Sequence, residues 1–149
     1  MVSASYVTTS GIAVSIITCS NASAASDYSV NSSANVAATI TAKVLAASLT
    51  NSGVTKVYDG TTAAPGGFTP TYSVTGFIAG DTAATLTNTG SAYNNAHVVS
   101  ATTVTTSGIA VSSITGSNAS AASDYSVNSS ANVAGTITVK TLTASLTNS

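Results

Sequence analysis

Residues 3–52 and 100–149 carry nearly the same sequence, with eight differences in 50 positions. Equivalent residues, such as Asp27 and Asp124 or Lys43 and Lys140, stand 97 positions apart. A period of that length is a small domain, able to bury a modest core without a metal or disulfide staple. The chain therefore reads as a window on a tandem array. Residues 1–43 are the later, incomplete part of one repeat, residues 44–140 a complete repeat, and residues 141–149 the first strand of the next.

A slip in hydrophobic phase marks the same boundaries. Val36, Ala38, Ile40 and Ala42 place apolar side chains on even positions, whereas Leu45, Ala47 and Leu49 place them on odd ones. One strand cannot keep both sets on one face. The second copy slips at the same place, between Val139 and Leu142. Neither junction carries a flexible linker, so successive repeats are expected to join closely, as in a stiff rod.

Alternating apolar and polar residues rich in Val, Ile and Thr predict strand almost throughout. In the complete repeat strands are expected at Leu45–Thr50, Thr71–Thr75, Ala84–Thr87, His97–Thr105, Ile109–Ile114, Tyr125–Asn128 and Val133–Val139. Turns fall at Asn51–Gly53, Asp59-Gly60 and Gly80-Asp81. Several short strands at this spacing predict an all-β unit, an antiparallel, immunoglobulin-like β-sandwich. Its expected core includes Leu45, Leu49, Ile109, Val111, Ile137 and Val139. The alternative is a β-grasp-like unit with its short helix at Ala119–Ser123. The Ala- and Ser-rich stretch reads as loop, because Ser side chains compete for backbone hydrogen bonds.

Composition narrows the function. Ser and Thr make up about a third of the residues, but only 5% are charged and the net charge is −1. No clustered Lys or Arg exists to hold nucleic acid or an anionic membrane surface. No stretch approaches the ~20 apolar residues of a membrane span, and the first residues lack the basic and apolar regions of a secretory signal. Low charge also removes the repulsion that opposes self-association. Cys19 is the single cysteine and its counterpart is Gly116, so the fold does not rest on a thiol.

Groups able to carry chemistry are few. Asp59, Asp81 and Asp124 form no loop of alternating oxygen ligands and there is no Glu, so no calcium site and no other metal or cofactor is expected. His97, beside Asn94 and Asn95, has no nucleophile or acid nearby in sequence, so no enzyme is expected. Tyr58, Asp59 and Gly60 read as a turn in which Gly supplies a positive φ, Asp caps the backbone and Tyr packs inward. Asn21, Asn31, Asn118 and Asn128 match glycosylation sequons, a match that a chain rich in Ser and Asn makes by chance.

The run KVYDGTTAA from Lys56, with TGFIAGDTAATLT, SAYNNAHV, SGIAVSSITGSNASAASDYSV and the closing ITVKTLTASL, resembles the YDG-type repeat of large bacterial surface adhesins. That family includes relatives of filamentous haemagglutinin. The resemblance spans the complete repeat and the partial copy, with Tyr58, Asp59, Gly60 and Thr61 as its central structural motif. Val139 and Ala42 stand where the pattern would place Pro before the closing Lys. The resemblance implies a stalk or spacer module, extracellular or on the bacterial cell surface, whose partners are neighbouring copies of itself.

A second class of function is a module binding glycans or a host protein through Tyr72, Phe77 and Tyr93, if these are exposed. Surface adhesins can crosslink Lys to Asn within an apolar core with a nearby acid assisting, for which Lys56, Lys140, Asp59 and several Asn residues are the candidates. Lys56 is instead expected at a strand edge with its head in water. The incomplete repeat is expected to need neighbouring material, either a filament subunit or more of a longer chain, and the longer chain is favoured because one donated strand replaces little of a half-domain.

Overall fold

The computed structural model describes residues 5–18 and 22–147, and Cys19 and the sequon at Asn21 lie outside them. The chain divides into two compact units, one up to Thr41 and one from Ala42 onward.

The first unit contains β1 (Tyr6–Ser10), a 3₁₀ turn at Ala25–Asp27 and β2 (Ser33–Ala37). β1 and β2 pair antiparallel from Tyr6↔Ala37 to Ser10↔Ser33. Gly11 to Thr18, expected as strand, has no regular secondary structure.

The second unit contains β3 (Lys43–Leu49), β4 (Val54–Val57), β5 (Tyr72–Thr75), β6 (Asp81–Thr87), β7 (Gly90–Tyr93), β8 (Thr103–Ser107), β9 (Ala110–Gly116), β10 (Tyr125–Val127) and β11 (Ser130–Thr138). They form three sheets, in the orders β10-β3-β5, β4-β11-β8-β7 and β6-β9. The unit is thus all-β with several sheets. Among the described residues the helical segments are two three-residue 3₁₀ turns, one of them at Ala122–Asp124, so the stretch reserved for a β-grasp helix holds a single turn.

The expectation of purely antiparallel sheets needs correction. β10 runs parallel to β3, with Tyr125 opposite Lys43, and β11 runs parallel to β4, with Gly135 opposite Val54. Parallel neighbours need a long connection, and here everything from β5 to β9 supplies it. The connections β3–β4 and β10–β11 each carry the chain from one sheet into another. The strands that open the unit are thereby laid lengthwise beside those that close it.

Val54, Tyr93, Ala101, Val104 and Ile137 form the core, with Tyr58, Phe68 and Val133 packed against it. Leu45 and Ile109 are also buried, while Leu49 and Val111 are half-buried. Val139 is 71% exposed, contrary to the core assignment, because β11 ends one residue earlier. His97 to Val99 also lie outside the strand expected there. The Asn95 side chain accepts from the His97 N–H (2.8 Å), and Asn94 Oδ1 accepts from the N–H groups of Thr102 and Thr103 (2.9 and 3.1 Å). These side chains bind the backbone locally and delay β8 until Thr103.

The duplicated sequence gives two environments for one pattern. β8 and β11 pair from Thr103↔Ala134 to Ser107↔Ser130, the register of β1 and β2 displaced by one repeat. The 3₁₀ turns correspond too, and in each an Asp carboxylate accepts the N–H three residues earlier at 2.8 Å. Burial differs: Val104 is 0% exposed and Val7 56%, while Ile137 is 1% exposed and Ile40 59%. The hairpin pairing and the 3₁₀ turn recur with the sequence, whereas burial requires β3 to β7.

Candidate functional site

A densely connected polar group in the second unit is built by the turn after β4. Val54 and Lys56 alternate inward along this strand, so a lysine occupies a position otherwise suited to an apolar side chain. The Lys56 ammonium donates to Asp59 Oδ1 (2.7 Å), to the Thr61 carbonyl (2.8 Å) and hydroxyl (3.0 Å), and to the Ala63 carbonyl (3.0 Å). Four oxygens share three protons. The Nζ atom lies 5.4 Å from the centre of the Tyr93 ring, within range of a cation–π attraction. Lys56 is therefore buried, and the expectation that its head lies in water is wrong. The oxygens that replace its hydration come from the turn directly after the strand.

Asp59 holds that turn. Its Oδ1 also accepts from the Thr61 N–H and Thr61 hydroxyl, each at 2.9 Å. The hydrogen bond from Lys56, then those from Thr61, lower its pKa from 3.8 to about 2. Gly60 has φ +80°, and a Cβ there would meet open space, so backbone conformation alone demands glycine. Tyr58 donates its backbone N–H to Thr138 on β11 (2.8 Å), and its ring stacks on His97 at 6.2 Å. The four motif residues thus close a cage around Lys56 and fasten the end of β4 to β11.

Tyr93 fastens the same two strands. Its hydroxyl donates toward the carbonyls of Val54 (2.9 Å) and Thr136 (3.3 Å), which belong to β4 and β11. Burial raises its pKa, as does the charge of Asp59. Tyr93 is 4% exposed and so presents no stacking surface. Tyr72 is half-buried, and Phe77 meets Tyr125 edge-on at 6.1 Å.

A second polar cluster surrounds Asp81, which is buried at the start of β6. Asp81 Oδ2 accepts from Tyr125 and Ser120 hydroxyls, both at 2.7 Å, and Oδ1 accepts from the Asn118 amide at 3.1 Å. These bonds, that of Tyr125 foremost, lower the Asp81 pKa. Tyr125 shifts upward through burial and its bond to the carboxylate. Sequence reasoning placed Asp81 in a turn and missed this cluster, whose members lie some forty residues apart.

The structure does not bring Asp59, Asp81 and Asp124 together. Asp59 belongs to the lysine cage, Asp81 to the tyrosine cluster and Asp124 to its own 3₁₀ turn. Among the described residues no three His, Cys, Asp or Glu side chains are grouped to hold a metal ion. The sequon residues Asn118 and Asn128 have internal work. Asn118 donates to Ala79 and Asp81, while Asn128 grips the N–H and the carbonyl of Ala47 at 2.7 and 3.0 Å. Among the described residues no nucleophile is hydrogen-bonded to the His97 ring. Instead Tyr58, His97, Val99, Val139 and Leu142 border an open apolar hollow of about 480 Å³. Among the described residues no helix is long and apolar enough to cross a membrane.

A family model described as YDG domain matches residues 41–134, a span that includes the cage, the tyrosine cluster and most of β11. Comparison with curated proteins and with solved structures yields no match.

Proposed function

Since the chain belongs to the YDG domain family, we propose that it is a structural stalk or spacer module of an extracellular bacterial adhesin or surface filament and has no catalytic role. The observation that carries this reading is the placement of the unit's first and last strands. β3 lies between β10 and β5, and β11 lies between β4 and β8. Tension applied at the two ends of the unit pulls each strand along its own axis, against one ladder along its first part and a second along the rest. Hydrogen bonds loaded side by side must break together, whereas those at an opening edge break in turn. The YDG turn and Tyr93 add bonds across β4 and β11, within the loaded region. Asp59 Oδ1 and the Thr61 carbonyl and hydroxyl are directed at Lys56, and the Tyr58 N–H at β11, which suits a brace.

Labelling cells with an antibody raised against residues 42–140 tests the location. Staining of intact cells supports the proposal, and staining only after permeabilisation refutes it. The alternative reading, a glycan- or protein-binding module, draws on the apolar hollow and on the Tyr58–His97 stack at its border. Binding on a glycan array that is lost in His97→Ala would favour that reading.

A further inference from the structure

The second unit is made of an opening half, residues 42–99 with β3 to β7, and a closing segment, residues 100–140 with β8 to β11. Residues 3–43 repeat the closing segment with six changes. The side chains that bond it to the opening half are common to both copies. Asn118, Ser120 and Tyr125, which hold Asp81, recur as Asn21, Ser23 and Tyr28, and Asn128, which grips Ala47, recurs as Asn31. The buried residues Val104, Ile109 and Ile137 recur as Val7, Ile12 and Ile40. On attraction alone, a segment of either kind would close the opening half equally well. Near-identical repeats in one chain are prone to such misassembly.

Four of the six changes fall at Thr102, Thr103, Ser113 and Val139, which are exposed or half-buried. The other two fall at Gly116 and Gly135, whose counterparts are Cys19 and Ala38. A Cβ on Gly116 would lie 2.4 Å from Asp81 Oδ1 and 2.5 Å from both the Asp81 Cα and the Gly80 carbonyl oxygen. A Cβ on Gly135 would lie 2.9 Å from the Tyr93 ring and 2.9 Å from a Val104 methyl. Relaxed contacts between such atoms begin at about 3.5 Å. The obstructing groups are held in place. Asp81 is bound by Tyr125, Ser120 and Asn118, and two of the atoms facing Gly116 are backbone. Tyr93 is pinned through its hydroxyl to Val54 and Thr136. Gly80, Asp81 and Tyr93 all belong to the opening half, so both glycines lie on the seam between the halves.

We infer that Gly116 and Gly135 are the residues by which the opening half selects its own closing segment, and that Cys19 and Ala38 bar the other copy from the same seat. Because the bonding residues are shared, selection works by exclusion. At both positions the facing groups come too close for any side chain, so one methyl is enough to distinguish the copies. Overpacking at the two sites together weakens closure by about thirtyfold or more. The device keeps a repeat from being completed by a segment of another repeat or of another molecule. It needs only the duplication in the sequence and so goes beyond the spacer reading and stands without it.

Completion in trans between two forms of the full chain tests it. The acceptor carries Gly116→Ala and Gly135→Ala, so that its own segment meets both obstacles, and Ala92→Cys as a reporter on β7. The donor carries Thr8→Cys, the counterpart of Thr105, which pairs directly with Ala92. Cys19→Ala removes the native thiol from the acceptor and from a control donor while keeping a methyl there, whereas the matched donor carries Cys19→Gly and Ala38→Gly. A tethered segment acts at an effective concentration of about 1 mM, so a thirtyfold penalty lets a donor at about 0.2 mM compete. After each mixture is unfolded and refolded, a short bismaleimide is expected to join residue 92 to residue 8 with the matched donor, as identified by the linked peptides. The control donor should give about thirtyfold less of that product. An acceptor that retains Gly116 and Gly135 should refuse both donors. If the acceptor does not fold alone, its near-ultraviolet circular dichroism should return with the matched donor only. Equal product from the two donors, no product from the matched donor, joining in the acceptor that retains its glycines, or an acceptor as stable to urea as the parent would overturn the inference.

Discussion

Replacing Lys56 with Met keeps most of the aliphatic stem and deletes the ammonium at the centre of the cage. Two carbonyls, of Thr61 and Ala63, then lose a charged donor in a partly buried setting. A polar group left without its partner costs about 1–3 kcal/mol. Removing one member of a buried ion pair usually costs about 3–5 kcal/mol, because the other charge is stranded in a dry interior. That does not apply in full here. The Asp59 side chain is 53% exposed and retains its bonds from Thr61, so water takes over from the lysine. Relief from keeping an ammonium out of water offsets part of the loss. The net destabilisation expected is about 2–3 kcal/mol, or roughly 10–20 °C in Tm for a domain of this size. Urea titration of the full chain followed by near-ultraviolet circular dichroism measures it, since Tyr93 lies against the ammonium. A loss below about 0.5 kcal/mol, or a gain, would refute the view that the turn exists to hold Lys56.

Other perturbations probe separate parts of the account. The lowered pKa of Asp59 gives stabilisation that is complete above the ordinary carboxylate value of 3.8 and lost as pH falls toward about 2, and the lowered pKa of Asp81 adds stabilisation lost in the same direction. Acid titration of Asp59→Asn should therefore show a flatter decline over that window than the parent. Gly135→Ala would place a Cβ 2.9 Å from both Tyr93 and Val104, and thermal melts should show a loss of about 1–3 kcal/mol. The first unit accepts Ala38 at the equivalent position, so the cost belongs to the closed core. Ile137→Ala is expected to cost about 2–5 kcal/mol and Val139→Ala under about 0.5 kcal/mol, although the two lie on one alternating pattern.

Period-two alternation located β3, β10 and β11 to within a few residues, and it succeeded because their partners lie within the chain. The same reading failed at Gly11 to Ser15. This run is identical to Gly108 to Ser112, yet only the later copy enters a strand, since β6 lies beside β9. A strand is a property of a pair. The parallel pairings escaped notice for a similar reason: alternation fixes which face a residue occupies and carries no information on the direction of its neighbour. At the candidate site the turn chemistry of Asp59 and Gly60 was legible, being local. The burial of Lys56 was not, because a lysine in an alternating pattern reads as an outward residue until its acceptors are placed. Tyr93 was taken for a possible contact surface, and its two carbonyl partners come from strands far away in sequence.

The central claim is that the second unit resists tension along its length, and single-molecule pulling in two directions tests it most directly. One attachment uses the ends of the unit, at Ala42 and Lys140, which loads β3 and β11 along their axes. The other uses cysteines at the exposed, directly paired residues Thr87 and Ala110, which opens β6 from β9 at one end of their ladder. End-to-end pulling is expected to give a single sharp rupture at clearly higher force than the opening geometry, and Lys56→Met is expected to lower the end-to-end force alone. Equal forces in the two directions, or smooth extension from the ends, would contradict the account.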